Sequence, residues 1–219
     1  MPPPSSRPTR SPLSHVDHLV YAAPALEPAI ADLARRLGVR AAPGGRHPDE
    51  GTWNAIIPLG PAVYLEIVAP DPSQPSPPRP RWFGIDTLRE PCLITWAAKS
   101  SGLDELVVAA RGVGLPLGPV RAGSRRRPDG TVLAWRLTDP QPLVADGIVP
   151  FFIDWGATPH PAGAAPHEAT LVGLRAEHPG GDRIAAQLLR LGVGLEVRLG
   201  SEPALIATLE TPRGQVELR

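Results

Sequence analysis

One structural unit occurs twice along this chain, and that repetition limits the fold more than any other feature of the sequence. The first copy opens with the apolar run VDHLVYAA at residues 16–23, and the second opens with PCLITWAA at residues 91–98. In each copy an amphipathic helix pattern and further strand-like runs follow. A shorter third copy opens with LVGLRAE at residues 171–177. Copies that begin about 75 to 80 residues apart predict a fold assembled from βαβββ modules.

Spacing and proline content predict the elements inside each module. Apolar side chains recur every three or four residues in segment 25–39, which predicts an amphipathic helix, and Gly38 lies where its C-terminal cap is expected. Proline accounts for 30 of 219 residues, about 14 % against a usual ~5 %. Because proline removes a hydrogen-bond donor and breaks helices, short strands joined by turns are favoured over long helices.

The charges of the chain balance, with 22 basic and 22 acidic side chains. Electrostatic binding of nucleic acid or of an anionic membrane over a broad surface needs a surplus of Lys and Arg, so we expect neither partner. No run approaches the ~20 apolar residues of a membrane span, and the N-terminal residues lack the apolar core of a secretory signal. Cys92 is the one cysteine, which excludes an internal disulfide and a cysteine-clustered metal site. These features predict a cytoplasmic protein.

Composition and repetition also predict the boundaries of the chain's parts. These are a disordered tail at residues 1–15, a domain of paired modules at 16–161 (16–70 and 91–156), and a third, shorter βαβββ-like module at 170–219. The Pro- and Ser-rich segment between the first two modules is typical of a linker. Trp82 and Phe83 are expected to pin the end of this linker into a groove.

Polar side chains interrupt two of the apolar strands. His18 lies inside VDHLVYAA beside Asp17, and Glu66 lies inside YLEIVAP. Burying such groups is costly unless they are paired or bound to a metal. Strict alternation along a strand predicts that Asp17 and His18 lie on opposite faces. The alternative to a metal site is a core histidine that Glu66 or Asp154 holds.

The order of these motifs resembles the vicinal oxygen chelate superfamily, and in particular its glyoxalase-like domain branch, the fold of glyoxalases, bleomycin-resistance proteins and extradiol dioxygenases. The motifs that carry the resemblance are VDHLVYAA, GGRHPDEGTWN, YLEIVAP, SRRRPDGTVLAWRL and FFIDWGATPHP. The resemblance implies an α+β fold in which repeated βαβββ modules curl mixed sheets around a small-molecule cavity, with the helices outside. It also implies a homodimer, because modules of this superfamily often pair between chains.

The resemblance further implies one divalent metal, Fe, Mn, Zn or Ni, as the only cofactor. In this superfamily the first-strand His and the fourth-strand Glu bind the metal, and the matching residues here are His18 and Glu66. Aligning the second module on the first adds Asp154 as a carboxylate ligand and leaves Leu93, which cannot coordinate a metal, at the remaining position. His160 is a further candidate, as a fourth ligand or as a substrate contact. One imidazole and two carboxylates suit such an ion.

Further candidates are expected around the cavity. By the resemblance, a Gly-rich loop carries His47 and Asn54 to the pocket mouth as substrate contacts, and the alternative is an ordinary surface turn. Arg125 and Arg127 share one face of a predicted hairpin strand. A guanidinium there would bind a carboxylate or phosphate if that face points inward, and otherwise the hairpin is simply solvated.

Two functions remain open at this point. The first is an isomerase, lyase or dioxygenase for a small oxygen-rich molecule, in which a metal or a polar cluster stabilises developing charge and Glu66 is the general base. The second is a metal-free protein that binds a small molecule such as an antibiotic, with Trp135 and Trp155 as apolar walls unless they are ordinary core residues. The absent ligand at Leu93 favours the second function. A regulatory or scaffold role for the third module is a further hypothesis.

Overall fold

The computed structural model describes residues 13–126, 130–164 and 167–219 of the chain. Most of the predicted tail at residues 1–15 lies outside the described residues, and so does Arg127.

The first module contains β1 (Val16–Ala22), α1 (Leu26–Leu37), β2 (Ala42–His47), β3 (Thr52–Gly60) and β4 (Val63–Pro70). Helix α1 forms where the sequence has helical spacing, and it buries an apolar stripe that includes Leu33. It ends at Gly38, whose φ of 76° is left-handed and whose N–H donates to the Ala34 carbonyl at 3.0 Å. The predicted helix and its glycine cap are therefore confirmed.

The second module repeats this order with β5 (Cys92–Lys99), α2 (Leu103–Gly112), β6 (Val120–Arg126), β7 (Val132–Thr138) and β8 (Phe151–Asp154). Between the two modules a short 3-10 segment, Trp82–Thr87, ends the Pro-rich linker. The order of elements in both modules is the predicted βαβββ.

The eight strands of the two modules close into one barrel with the order β1-β4-β3-β2-β6-β7-β8-β5. Within each module the first and last strands pair in parallel, β1 with β4 and β5 with β8. The modules meet where β1 pairs antiparallel with β5 and β2 pairs antiparallel with β6. The predicted α+β fold, with mixed strands curled around a cavity, is confirmed.

The remaining strands form a second sheet. Its strands are β9 (Thr170–His178), β10 (Glu196–Leu199), β11 (Ala204–Thr211) and β12 (Gly214–Leu218), in the order β10-β9-β11-β12. The helix α3 (Gly181–Arg190) connects β9 to β10. The sheet is attached to the barrel, since the Leu93 N–H donates to the Arg219 carbonyl at 2.8 Å. Its apolar residues share one core cluster with the helix side of the barrel.

Alternation along the strands separates the outside of the barrel from its inside. Leu19 and Tyr21 of β1 join the cluster that packs against the helices, whereas Val20 and Ala22 join a second cluster inside the barrel. Each fully buried leucine on the helix side contributes roughly 1.5–3 kcal/mol of burial free energy. The interior of a small barrel is filled by side chains, so a polar group there needs a partner on another strand.

The described helices are short. The longest has 12 residues, and none of them has the length and apolar character that a crossing of the bilayer requires.

Candidate functional site

A bulge in β1 brings the first two polar side chains together. Val16 pairs with Ala98 and His18 pairs with Ala97, so Asp17 is an extra residue on this strand. The Asp17 carboxylate lies 2.8 Å from Nδ1 of His18, and both residues are buried. The prediction that the two side chains lie on opposite faces is therefore wrong, because the bulge interrupts the alternation.

Asp17 also contacts the end of the second module. Its carboxylate accepts from the Trp155 indole at 3.2 Å and lies 3.3 Å from Nε2 of His160. Burial raises the pKa of this carboxyl, but the contacts with His160 and His18 outweigh burial and hold the pKa below its ordinary value. Nδ1 of His160 accepts from the Ala162 N–H at 3.2 Å. Asp17 is thus an ionised carboxylate that orients His18.

Glu66 faces the other nitrogen of the imidazole. It projects inward from β4, and its Oε2 lies 3.8 Å from Nε2 of His18. Asn54 on the neighbouring β3 donates to the other carboxylate oxygen. Arg125 of β6, only 4 % exposed, donates in turn to the Asn54 side-chain oxygen at 3.3 Å. A polar network therefore runs from Asp17 across the barrel to the second module.

The contact between Asn54 and the guanidinium depends on a glycine. Gly44 is the extra residue of a bulge in β2, since Pro43 pairs with Ala55 and Gly45 pairs with Asn54. A Cβ at Gly44 would overlap the Asn54 amide oxygen and lie 2.8 Å from the guanidinium. Only glycine leaves room for this pair.

His47 lies at the edge of the same cavity as a neutral imidazole. Its Nδ1 is 3.0 Å from the Thr52 hydroxyl, and the rings of Trp82 and Trp135 lie 6.3 and 6.4 Å away. Burial lowers its pKa to about 4, although the negative charge of Glu66 opposes the shift. At neutral pH His47 therefore carries no charge.

Two aromatic rings hold the His18 imidazole in place. Tyr64 stacks on it with ring centroids 4.6 Å apart, and Phe151 meets it edge-on at 5.4 Å. Burial raises the pKa of the Tyr64 hydroxyl well above its ordinary value, so it stays protonated. The sequence analysis missed Tyr64, although alternation from Glu66 along β4 would have placed it on the inward face.

The cavity is small and mainly apolar apart from this network. Seven residues that the sequence analysis named line it: His18, His47, Asn54, Glu66, Arg125, Trp135 and Trp155. Trp82 and Phe83 of the linker line it as well, so the expected insertion of these rings into a groove is observed. The cavity volume is about 30 Å³, enough for one or two water molecules.

Asp154 does not join this network. Phe151 and Ile153 of β8 line the cavity, and alternation turns Asp154 to the opposite face, where it accepts from the Gly156 N–H at 2.8 Å. The alignment of the two modules equated Asp154 with Glu66 and so predicted that Asp154 faces the cavity, which is wrong. A shift of one residue in such an alignment reverses the predicted direction of a side chain. His160 lies behind Asp17 and outside the cavity lining.

The donor set that remains does not fit a divalent metal. His18 and Glu66 face each other, but the second module adds the apolar side chains of Phe151 and Ile153 to this part of the cavity. Within the described ranges no group of three His, Cys, Asp or Glu side chains is placed to hold an ion. Two protein donors are fewer than the three that open metal sites use.

Two βαβββ modules closed into one barrel, with a buried imidazole and carboxylate in an aromatic cavity, define a small-molecule protein of the glyoxalase fold. The model of the family described as "Glyoxalase-like domain" matches residues 16–192. The chain belongs to this family, and the predicted resemblance to the vicinal oxygen chelate superfamily is confirmed.

Solved structures are similar to the chain at low sequence identity. A hypothetical protein from Staphylococcus aureus aligns with a TM-score of 0.56 and 11 % identity, over 92 % of this chain and 83 % of that one. The methylmalonyl-CoA epimerase of Mycobacterium tuberculosis aligns with a TM-score of 0.41 and 22 % identity, over 66 % and 89 % of the two chains. A methylmalonyl-CoA epimerase in complex with methylmalonyl-CoA aligns at 0.42 and 19 %, over 67 % and 98 %. No curated protein matches the chain.

Proposed function

We propose that this protein is a small-molecule enzyme, an isomerase or lyase, in which His18 and Glu66 move a proton next to an oxygen of the substrate. The observation that carries the proposal is the buried series of Asp17, His18 and Glu66. The Asp17 carboxylate contacts Nδ1 of the His18 imidazole at 2.8 Å, and Nε2 of the same ring faces the Glu66 carboxylate at 3.8 Å. A histidine held by an acid through one nitrogen presents the other nitrogen for acid–base chemistry.

The same groups support a simple sequence of proton transfers. Glu66 Oε2 accepts a proton from a substrate carbon next to a carbonyl, while Asn54 holds the other carboxylate oxygen. His18 Nε2 donates a proton to the substrate or accepts one. Arg125 supplies positive charge to the cavity, which stabilises the negative oxygen that forms as the C–H bond breaks. Delivery of a proton from His18 Nε2 to the opposite face of the same carbon, with the first proton left on Glu66, isomerises the substrate. Departure of a group from the neighbouring carbon with its bonding electrons, as a double bond forms, makes the enzyme a lyase.

A divalent metal is the cofactor that the family resemblance implies, and such an ion would polarise the substrate oxygen as a Lewis acid. His18 and Glu66 are the residues that would hold it. Because the described residues supply only this pair, the proposed proton transfers take no step through a metal.

Deuterium exchange tests the proposal without knowledge of the natural substrate. The protein is incubated in D₂O with small 2-oxo and 2-hydroxy carboxylates, and ¹H NMR follows loss of the signal next to the carbonyl. We expect catalysed exchange in the wild-type protein and a loss of about 10²–10⁴-fold in Glu66→Gln, since general acid–base catalysis has this magnitude. Equal exchange rates in wild type and Glu66→Gln would refute the proposed role.

Elemental analysis tests the role of a metal. Protein purified without chelator is analysed for bound transition metals and then titrated with Zn²⁺, Mn²⁺ and Ni²⁺. We expect substoichiometric metal and deuterium exchange that chelators leave unchanged. If the protein instead bound one equivalent of metal and His18→Asn abolished that binding, the enzyme would be metal-dependent, contrary to the proposal.

The second candidate function is binding without chemistry. It is favoured by the walls of the cavity, where Trp82, Trp135 and Trp155 present large aromatic surfaces. Binding of an aromatic compound at micromolar concentration, together with no deuterium exchange in any carboxylate of the panel, would select this function over the enzyme.

A homodimer and a cytoplasmic location remain predictions, and light scattering tests the first of them.

A further inference from the structure

The space around His18 and Glu66 is divided into two compartments. The inner cavity has a volume of about 30 Å³, and a groove outside it has a volume of about 380 Å³. The two compartments share the side chains of His47, Trp82, Trp135 and Leu137 as a common wall. The space next to the inner pair therefore takes only a few atoms of a ligand unless part of that wall moves.

One residue of the wall, Trp82, does not come from the barrel strands. Trp82 and the adjacent Phe83, which lines the inner cavity alone, belong to the 3-10 segment between β4 and β5. Phe83 is 4 % exposed, and its ring lies 6.1 Å from the ring of Phe151 inside the barrel. Phe83 has a φ of 63°, a left-handed conformation that bulky residues rarely adopt. The ring is thus inserted at a cost in backbone strain that its burial offsets.

A few polar contacts hold this segment to both halves of the barrel. The Arg81 side chain donates to the Gly51 carbonyl, just before β3, at 2.9 Å and pairs with Asp86 at 2.6 Å. Gln141, which follows β7, donates to the Arg81 carbonyl at 2.7 Å. Segments held by a few side-chain bonds open more readily than strands held by a ladder of backbone bonds. Displacing the segment would break these few bonds and expose the buried Phe83 and Ile85, but it would leave the strand ladder of the barrel in place.

We propose that Trp82 and Phe83 form an aromatic plug that sets the size of the ligand reaching His18 and Glu66. This inference rests on the proposed function of that pair, and it assigns the choice of substrate to the linker between the modules. With the plug in place, the inner cavity admits only the reacting end of a ligand, such as a carbonyl or carboxylate group. The rest of the molecule lies in the outer groove. Loss of the Trp82 ring would join the two compartments, and loss of the Phe83 ring would enlarge the inner cavity, so either change lets a wider ligand reach the inner pair.

Two aromatic carboxylates of different width test the plug. Benzoate and 2-naphthoate are titrated into the full chain by calorimetry. Phe83→Gly removes the ring, and glycine adopts a φ of 63° without strain. We expect this variant to bind 2-naphthoate about tenfold more tightly than the wild-type protein does, and to change the affinity for benzoate by less than about threefold. Trp82→Ala, which leaves the strained residue unchanged, shifts the ratio of the two affinities in the same direction.

A ring outside the cavity provides the matched control. Phe152→Leu alters a buried side chain on the opposite face of β8 and should leave the ratio of affinities unchanged. A ratio that stays the same in both plug variants, or that changes equally in Phe152→Leu, overturns the proposal. This experiment measures binding alone, so its result does not depend on catalysis. If the plug variants gain affinity for 2-naphthoate and the wild-type protein shows no deuterium exchange, the plug is supported and the proposed enzyme is rejected.

Discussion

The two halves of the barrel share a strand order but give the cavity different chemistry. The first module contributes nearly all of the polar side chains, His18, His47, Asn54, Tyr64 and Glu66. The second module contributes an apolar wall, Trp135, Leu137, Phe151, Ile153 and Trp155, with Arg125 as its charged member. A repeated backbone therefore does not imply a repeated site, because the inward positions of each half are free to carry different side chains.

The largest expected effect comes from giving the apolar half a metal ligand. Phe151 meets the His18 ring at 5.4 Å, so Phe151→Glu adds a carboxylate beside the existing pair. Without metal we expect a loss of about 3–5 kcal/mol in the free energy of unfolding, from the lost ring and the buried charge. Added Zn²⁺ or Mn²⁺ should recover much of that loss by binding the folded state. Urea denaturation with and without metal measures both effects.

The control for this variant is one residue away. Phe152→Glu makes the same change on the opposite face of β8, away from His18 and Glu66. It should destabilise the protein to a similar extent, and metal should not rescue it. Equal rescue of the two variants would contradict the assignment of faces along this strand.

The next effect concerns the polar half and its dependence on pH. His47 has a pKa of about 4 in the folded protein, against roughly 6.5 in an unfolded chain. The unfolded state therefore binds the proton more tightly, so the stability contributed by neutral His47 is complete above about pH 6.5 and is lost as the pH falls towards 4. We expect His47 to account for a loss of about 3 kcal/mol over that window.

Comparison with His47→Gln isolates this contribution. The variant should lose less stability than wild type between pH 7 and pH 4, as measured by urea denaturation at fixed ionic strength. Asp17, whose pKa is lowered, contributes stability that is lost mostly below pH 4, and this loss is the same in both proteins, so it cancels in the comparison. Identical pH dependence in the two proteins would show that the buried imidazole is not the source of the loss.

A smaller effect tests how the halves are joined. Gly44→Ala places a methyl group against the Asn54 amide and the Arg125 guanidinium. We expect a loss of about 1–3 kcal/mol from overpacking, together with slower deuterium exchange because Glu66 loses its fixed partner. Gly112→Ala, where a Cβ meets nothing within 4 Å, is the matched control and should leave both quantities near their wild-type values. Equal slowing of exchange in the two variants would show that Gly44 has no particular role in the site.

The fold was predictable because its signals are local. The apolar run of β1, the spacing of α1 and the cap at Gly38 each reflect a single segment, and their repetition indicates paired modules. The modules then pair through backbone bonds that depend little on side-chain identity. Signals of this kind can be read from a single sequence, whereas the chemistry of the site cannot.

The site was predictable only in part, because it depends on register. His18 and Glu66 stand out as polar residues inside apolar strands, and the structure brings them to 3.8 Å. Asp17 joins them only through a bulge, and no alternation pattern contains the extra residue of a bulge. The plug residue Phe83 acts through a left-handed backbone conformation, which composition does not reveal.

The smallest expected effect compares the two carboxylates that the sequence treats as equivalents. Asp154→Asn keeps the oxygen that accepts from the Gly156 N–H, and its side chain faces away from the cavity. We therefore expect a change in unfolding free energy within about 0.5 kcal/mol and an unchanged rate of deuterium exchange. The matched variant Glu66→Gln, also carboxylate to amide, removes the proposed base and should slow the exchange by about 10²–10⁴-fold. If Asp154→Asn slowed exchange as strongly as Glu66→Gln, the chemistry would belong to both halves of the barrel, and the division into a polar half and an apolar half would be wrong.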